Sequence, residues 1–336
     1  MTKSSESALE NHAESKSFLA SALAWHGTVT PRVLHRVFIA AGYAGAVYFL
    51  SLFIPNFSIP ITPFEYSGAV LALLLVMRVN AGHDRWWEAR KLWGSIVNQS
   101  RNLATATLAY NKSGDETANR LAGWAAAWPY VMKNSLRSQK NITEVARFVG
   151  AAEVDWLSRK DHMPSQVGLK VARLLNQLRV NGMDNFAFQR AETERSALID
   201  AIGACERIKS TRMPFVLAVK TRRFILLFLL LLPIALVDRV GILTPLVMAL
   251  AAYPLFSLDE IGAELQNPFS ERNLSHLPLD RICDTISSNI MNLILETQTE
   301  QSQEKAGHSP PMVPANRPLG SLTSIDRSGA PQSHKI

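Results

Sequence analysis

Between Phe224 and Val237 the chain reads FILLFLLLLPIALV, without one charged side chain. A helix carrying that run is apolar on every side, and a bilayer accommodates such a surface directly. Crossing about 30 Å of hydrocarbon takes roughly 20 residues, so the spacing predicts a helix beginning near Phe215. Three further stretches fit the same description. Val33 to Pro55 is broken only by His35 and Arg36 at its start, Ile59 to Met77 only by Glu65, and Val240 to Leu258 has no charge. We read four spanning helices in two hairpins, with short connections at Asn56-Phe57-Ser58 and Asp238-Arg239-Val240-Gly241.

The averages fit a mixed protein. Mean hydropathy is +0.04, far too low for a chain embedded along its whole length. Charged residues make up 19%, fewer than the usual quarter. The net charge of +7 is concentrated beside the apolar stretches. Arg32 and Arg36 precede the first, and Arg78, Arg85, Arg90 and Lys91 follow the second. Lys209, Arg212, Lys220, Arg222 and Arg223 precede the third, and the two turns carry only Arg239. Basic residues flank helices on the cytoplasmic side. Both termini and the long central segment are therefore expected inside, with the hairpin turns outside, in a multi-pass protein of the inner membrane. The basic charge sets topology, and no nucleic-acid partner is expected.

The expected organisation is a polar N-terminal segment over 1–24, a first transmembrane hairpin over 25–83 and a cytosolic helical bundle over 84–212. A second hairpin follows over 213–260, then a post-membrane cytosolic segment over 261–300 and a disordered Ser/Pro-rich tail over 301–336. Met1 to Lys16 lacks the apolar core of a cleavable signal. In the central segment Trp, Arg and Glu alternate with apolar residues at helical spacing, broken near Asn111, Asn141, Met163-Pro164 and Asn181-Gly182. Trp124, Trp128 and Trp156 read as bundle core. Cys205 and Cys283 lie far apart and suggest buried thiols facing a reducing compartment. The fold class is an all-α membrane protein.

No phosphate-binding loop, nucleophile elbow, HExxH or Cys/His cluster is visible. Neither catalysis, nor a cofactor, nor a metal site is expected. The densest segment runs Arg78-Val79-Asn80-Ala81-Gly82-His83-Asp84-Arg85-Trp86-Trp87-Glu88-Ala89-Arg90-Lys91-Leu92-Trp93-Gly94. Its tryptophans suit a membrane–water boundary. Its alternating charges suit pairing along or between helices.

At this segment the sequence resembles the bestrophin family of ion channels, in its bacterial branch. The carrying residues are Arg78, Asn80, Asp84, Arg85, Trp86, Trp87, Glu88, Arg90 and Trp93. Trp25-His26-Gly27-Thr28-Val29 with Pro31-Arg32 is similar to the family's N-terminal segment. Cys205-Glu206-Arg207-Ile208 with Met213-Pro214-Phe215 is similar to its approach to the third spanning helix. Glu264-Leu265-Gln266-Asn267-Pro268-Phe269 and Leu277-Pro278-Leu279-Asp280 resemble its post-membrane elements. The match runs in order from about residue 18 to 297.

The resemblance implies a homopentamer around a central pore, in contact with membrane lipid and small inorganic ions, with four spanning helices per subunit. Ala69, Leu73 and Met77 repeat every four residues and so share a helix face. By resemblance they fall at the hydrophobic neck, where an apolar constriction gates by dewetting. Met213 falls at the cytosolic aperture. Glu65 lies one turn before Ala69, at an outer pore mouth or as a first-turn acid facing the helix dipole. The implied function is conduction of small monovalent ions, chloride in the best-known members, with cation conduction also open. Gln266 and Asn267 replace acids where calcium-regulated members are acidic, so no calcium site is expected. A secondary transporter and a membrane-anchored scaffold are the alternative readings.

Overall fold

The computed structural model describes residues 23–54, 57–110, 116–211 and 213–305. The chain divides into one unit through Ile294 and a second from Leu295 onward, whose described part is the end of a helix. Most of the N-terminal segment, Asn56, the break at Asn111, Arg212 and most of the C-terminal tail lie outside the described residues.

Helices α1 (Thr30–Ser51) and α2 (Thr62–Ala109) come first. Helices α3 (Glu116–Leu136), α4 (Ala146–Val149), α5 (Ala151–Ser158), α6 (Met163–Val180) and α7 (Asn185–Ser210) follow. Helices α8 (Phe215–Val240), α9 (Thr244–Glu264) and α10 (Leu279–Lys305) complete the chain. Among the described residues there is no strand.

The helix starts follow from local chemistry. Helices α1, α2 and α9 each begin Thr-Pro, where proline's missing N–H costs nothing and its φ is already helical. Asp184 caps α7 by accepting from the Phe186 and Ala187 amides at 2.8 and 3.3 Å. Pro214 separates α7 from α8, which starts at Phe215 as expected. Two expectations shift. Helix α8 continues through Val240, and the turn falls at Gly241–Leu243, where Gly241 takes the positive φ of 53° that a side chain would resist. The tail is helical as far as Lys305, where α10 ends.

Three helical stretches among the described residues are long and apolar enough to cross a membrane: 30–51, 62–109 and 215–264. The last contains α8, its turn and α9. The chain is a membrane protein. Two apolar cores lie along it. One joins α1, the first half of α2, α8 and α9 through Ala44, Leu71, Leu75, Ile225, Leu229 and Met248. The other joins the second half of α2 to α3, α6, α7 and the start of α10, around Trp93, Trp128 and Ile286. Helix α2 runs unbroken through both, so the two cores share one continuous helix. Trp124 and Trp128 are buried in the second core, and Trp156 packs against it.

Candidate functional site

Helix α2 has two faces. Leu71, Leu75, Arg78 and Gly82 are buried, spaced four, three and four residues apart. On the opposite side Ala69, Leu73 and Met77 are exposed, the last two at 61% each. At 3.6 residues per turn these three stay within about 40° of Leu73. The same stripe continues through Asn80, Asp84 and Trp87, all exposed, so it turns from apolar to polar just beyond Met77. Glu65 is exposed in the first turn of α2, about 80° around the helix from Leu73. Met213 is half-buried in the short link between α7 and α8.

The signature segment divides between anchors and free groups. Arg78 is 2% exposed and pairs with Asp259 of α9. Arg85 donates to the Thr211 carbonyl at 2.6 Å, to that of Ile208 at 2.5 Å and to that of Gln266 at 3.3 Å. Its charge thus meets the carbonyl end of α7, where a helix dipole favours a cation. That contact holds the chain two residues before Met213. Trp86 donates its indole N–H to the Ser275 carbonyl at 2.8 Å. Glu88 accepts from Arg207 of α7 at 2.7 Å. Trp93 is fully buried in the second core. Asn80, Asp84, Trp87 and Arg90 are exposed, and neither Asp84 nor Arg90 makes an ion pair among the described residues.

A charged layer closes one end of the first core. Arg32 of α1 pairs with Glu264 and lies 3.9 Å from Glu260. Arg36 reaches Glu260 at 3.2 Å, and Arg222 of α8 donates its Nε to Asp259 at 3.0 Å. Arg32 also donates to the Arg272 carbonyl at 3.3 Å, and Glu264 accepts the Leu274 amide at 2.5 Å. These contacts strap the chain following α9 onto the start of α1. Asp259 and Glu260 were not singled out in the sequence, and Glu264 entered it only as part of the post-membrane element. Their signal was two adjacent acids directly after an uncharged stretch, with arginines at the ends of three other apolar helices. Below this layer α2 and α9 cross closely: a Cβ on Gly82 would lie 3.0 Å from the Leu265 Cβ and 3.4 Å from the Gly262 carbonyl oxygen.

The profile of the bacterial and fungal bestrophins matches residues 10–292. The chain belongs to that family. A voltage-dependent anion channel-forming protein of Mesorhizobium japonicum is 35% identical, with 89% of this chain and 94% of that protein covered. Another of that description from Nostoc is 32% identical over 80% of this chain and 88% of its own. The crystal structure of a bacterial bestrophin homologue from Klebsiella pneumoniae matches with a TM-score of 0.71 at 24% identity. That match covers 78% of this chain and 98% of the other. The all-helical bestrophin fold is therefore shared, as the residues from Trp25 to Asp280 led us to expect.

Proposed function

We propose that this bestrophin is an ion channel in which five copies surround one pore, each crossing the inner membrane four times through α1, the first half of α2, α8 and α9. The observation that carries this reading is the exposed stripe of Ala69, Leu73 and Met77 on a helix whose opposite face is fully packed. Lipid alone could cover the apolar part of such a stripe, but its continuation through exposed Asn80 and Asp84 suits copies of itself around an aqueous axis. Five Leu73 and five Met77 side chains form a neck too apolar to hold water when narrow, and its wetting gates the flow. Ala69 widens the outer end of that neck. Met213, held in place through Arg85, forms a second constriction on the cytosolic side. Both termini lie in the cytoplasm, in keeping with Arg32, Arg36, Arg78 and Arg222 gathered at one end of the first core.

Anions are the permeant species on the first reading, by likeness to relatives named as anion channel-forming. A second reading, cation conduction, is favoured by one observation: Glu65 and Asp84, at either end of the apolar stripe, are exposed carboxylates, and Asp84 has no ion pair among the described residues. Reversal potentials of the reconstituted protein under a salt gradient decide between the two. Asp84→Asn and Glu65→Gln leave an anion-selective reversal potential in place or shift it further toward anions. A cation-selective wild type made less so by either change selects the second reading.

A further inference from the structure

Helices α1, α8 and α9 leave an apolar groove of about 360 Å³ open at the surface of the first core. Ile39, Tyr43, Leu226, Leu229, Met248 and Phe256 line it, and the one charged residue among its walls is Arg36. Arg36 keeps 41% of its side chain exposed while one of its nitrogens rests on Glu260. Arg222 and Arg223 precede Leu226 by four and three residues, so both project from the same side of α8, one turn closer to the charged end. Arg222 is 55% exposed and uses only its Nε on Asp259. Arg223 is exposed and has no ion pair among the described residues. Because Asp259 and Glu260 are consecutive, Arg36 and Arg222 meet α9 at one level. In the charged layer next to that mouth Arg32, Arg36, Arg78 and Arg222 meet Asp259, Glu260 and Glu264, and Arg223 adds to the net positive charge.

We infer that this groove holds one anionic phospholipid, its acyl chain against Ile39, Leu226 and Met248 and its phosphate on Arg36, Arg222 and Arg223. The occupant follows from the combination on the page. The walls belong to membrane-crossing segments, so what fills them is apolar. The mouth is net positive at the level where a headgroup sits, and guanidinium forks match phosphate oxygens two at a time. Basic pockets between spanning helices on the cytoplasmic side bind such headgroups. The site rests on the membrane placement of α1, α8 and α9 and does not depend on ion conduction.

The test is native mass spectrometry of the full-length oligomer, equilibrated in detergent with palmitoyl-oleoyl phosphatidylglycerol or with the matching phosphatidylcholine. The wild type retains phosphatidylglycerol in preference. At about 1 kcal/mol per basic residue near the headgroup, Arg223→Gln lowers that preference about fivefold, and Arg36→Gln with Arg223→Gln about thirtyfold. Arg223 is exposed and makes no ion pair among the described residues, so its single variant keeps the fold. Ile39→Trp, placed at an exposed wall position, blocks the acyl chain and reduces retention without changing the mass of the oligomer. Equal retention of the two lipids overturns the inference, as does retention indifferent to these variants. Displacement of the lipid by the soluble headgroup, glycerophosphoglycerol, at equal concentration shows an anion site without a tail groove and overturns it too. Dissociation of the oligomer by Ile39→Trp makes the groove a seam between copies, with the same consequence.

Discussion

The guanidinium of Arg78, next in sequence to Met77, is buried against the carboxylate of Asp259. Arg78 belongs to the helix bearing the apolar stripe, and Asp259 to α9, which also packs along α1. Asp259 in turn accepts from Arg222 of α8. One carboxylate thus ties the inner end of the stripe to two other apolar helices. Removing one member of a buried pair leaves the other uncompensated, a loss of about 3–5 kcal/mol. Asp259→Asn strands Arg78 and is the more damaging change. Arg78→Ala leaves Asp259 with Arg222 and costs less. Thermal unfolding of the two variants in one detergent gives this order, and the reverse order removes Asp259 as the shared anchor.

Gly82 and Gly262 let α2 and α9 approach where any larger residue meets an obstacle. A Cβ on Gly262 would sit 3.2 Å from the Arg78 Cγ, and one on Gly82 3.0 Å from the Leu265 Cβ. Overpacking of this kind costs about 1–3 kcal/mol. Gly82→Val lowers the melting temperature by several degrees, and Gly262→Val displaces Arg78 as well. Gly203→Val, at a position with nothing within 4 Å of its Cβ, serves as the control for helix propensity alone. Equal losses at all three positions would contradict a close crossing.

The packing of α10 onto α3 responds to pH with a sign that its charges determine. Lys133 donates to Asp280 and Glu144, each at 2.7 Å, and Arg137 reaches Asp280 at 2.7 Å. Burial works to raise the Asp280 carboxyl, yet hydrogen bonds from Lys133 and Arg137 and their charges hold it below the usual carboxylate range. For Lys133, burial works downward, and its bonds to Asp280 and Glu144 outweigh that and raise it. A depressed acid contributes stability above its unfolded pKa of about 3.9, and that contribution disappears as pH falls through the lower folded value. A raised lysine contributes below about pH 10.4, until pH rises through its folded value. Melting temperature therefore drops on acidification below about pH 4, and Asp280→Asn flattens that limb. An unchanged limb in the variant assigns the acid sensitivity to other carboxylates.

Cys205 lies wholly buried between α7 and the second core, and burial pushes its thiol up to about 12. Cys283 is equally buried and shifted the same way by burial. At pH 8 the native protein consumes no thiol reagent, and two equivalents react after unfolding. Rapid reaction of either thiol in the native state would show the second core open on that timescale.

The long apolar helices, the start of α8 at Phe215 and the RWWEAR segment were legible because each rests on a local run of sequence. Phe224 to Val237 has one physical destination, whereas proline is ambiguous: it opens α1, α2 and α9 at Pro31, Pro63 and Pro245 but lies inside α3, α8 and α9 at Pro129, Pro233 and Pro254. The charged layer was not legible, because pairing Arg78 with Asp259 or Arg32 with Glu264 depends on which helices meet across 181 and 232 residues of sequence. The stripe was half visible. Spacing put Ala69, Leu73 and Met77 on one face, and only the burial of Leu71, Leu75 and Arg78 opposite showed which face was left free. Asp84 and Glu88 looked alike in the sequence, yet Glu88 found Arg207 across the bundle and Asp84 makes no ion pair among the described residues.

The central claim is that the exposed stripe of α2 is the narrowest part of a conducting path. Single-channel recording of the purified protein in a planar bilayer, for wild type and for Leu73→Ala with Met77→Ala, tests it most directly. Both substituted side chains are exposed, so the fold of the subunit is kept. The account predicts discrete wild-type openings and a double variant with higher conductance and a larger open fraction, since shorter side chains widen and wet the neck. Openings unaltered in size and frequency by the double change would contradict it.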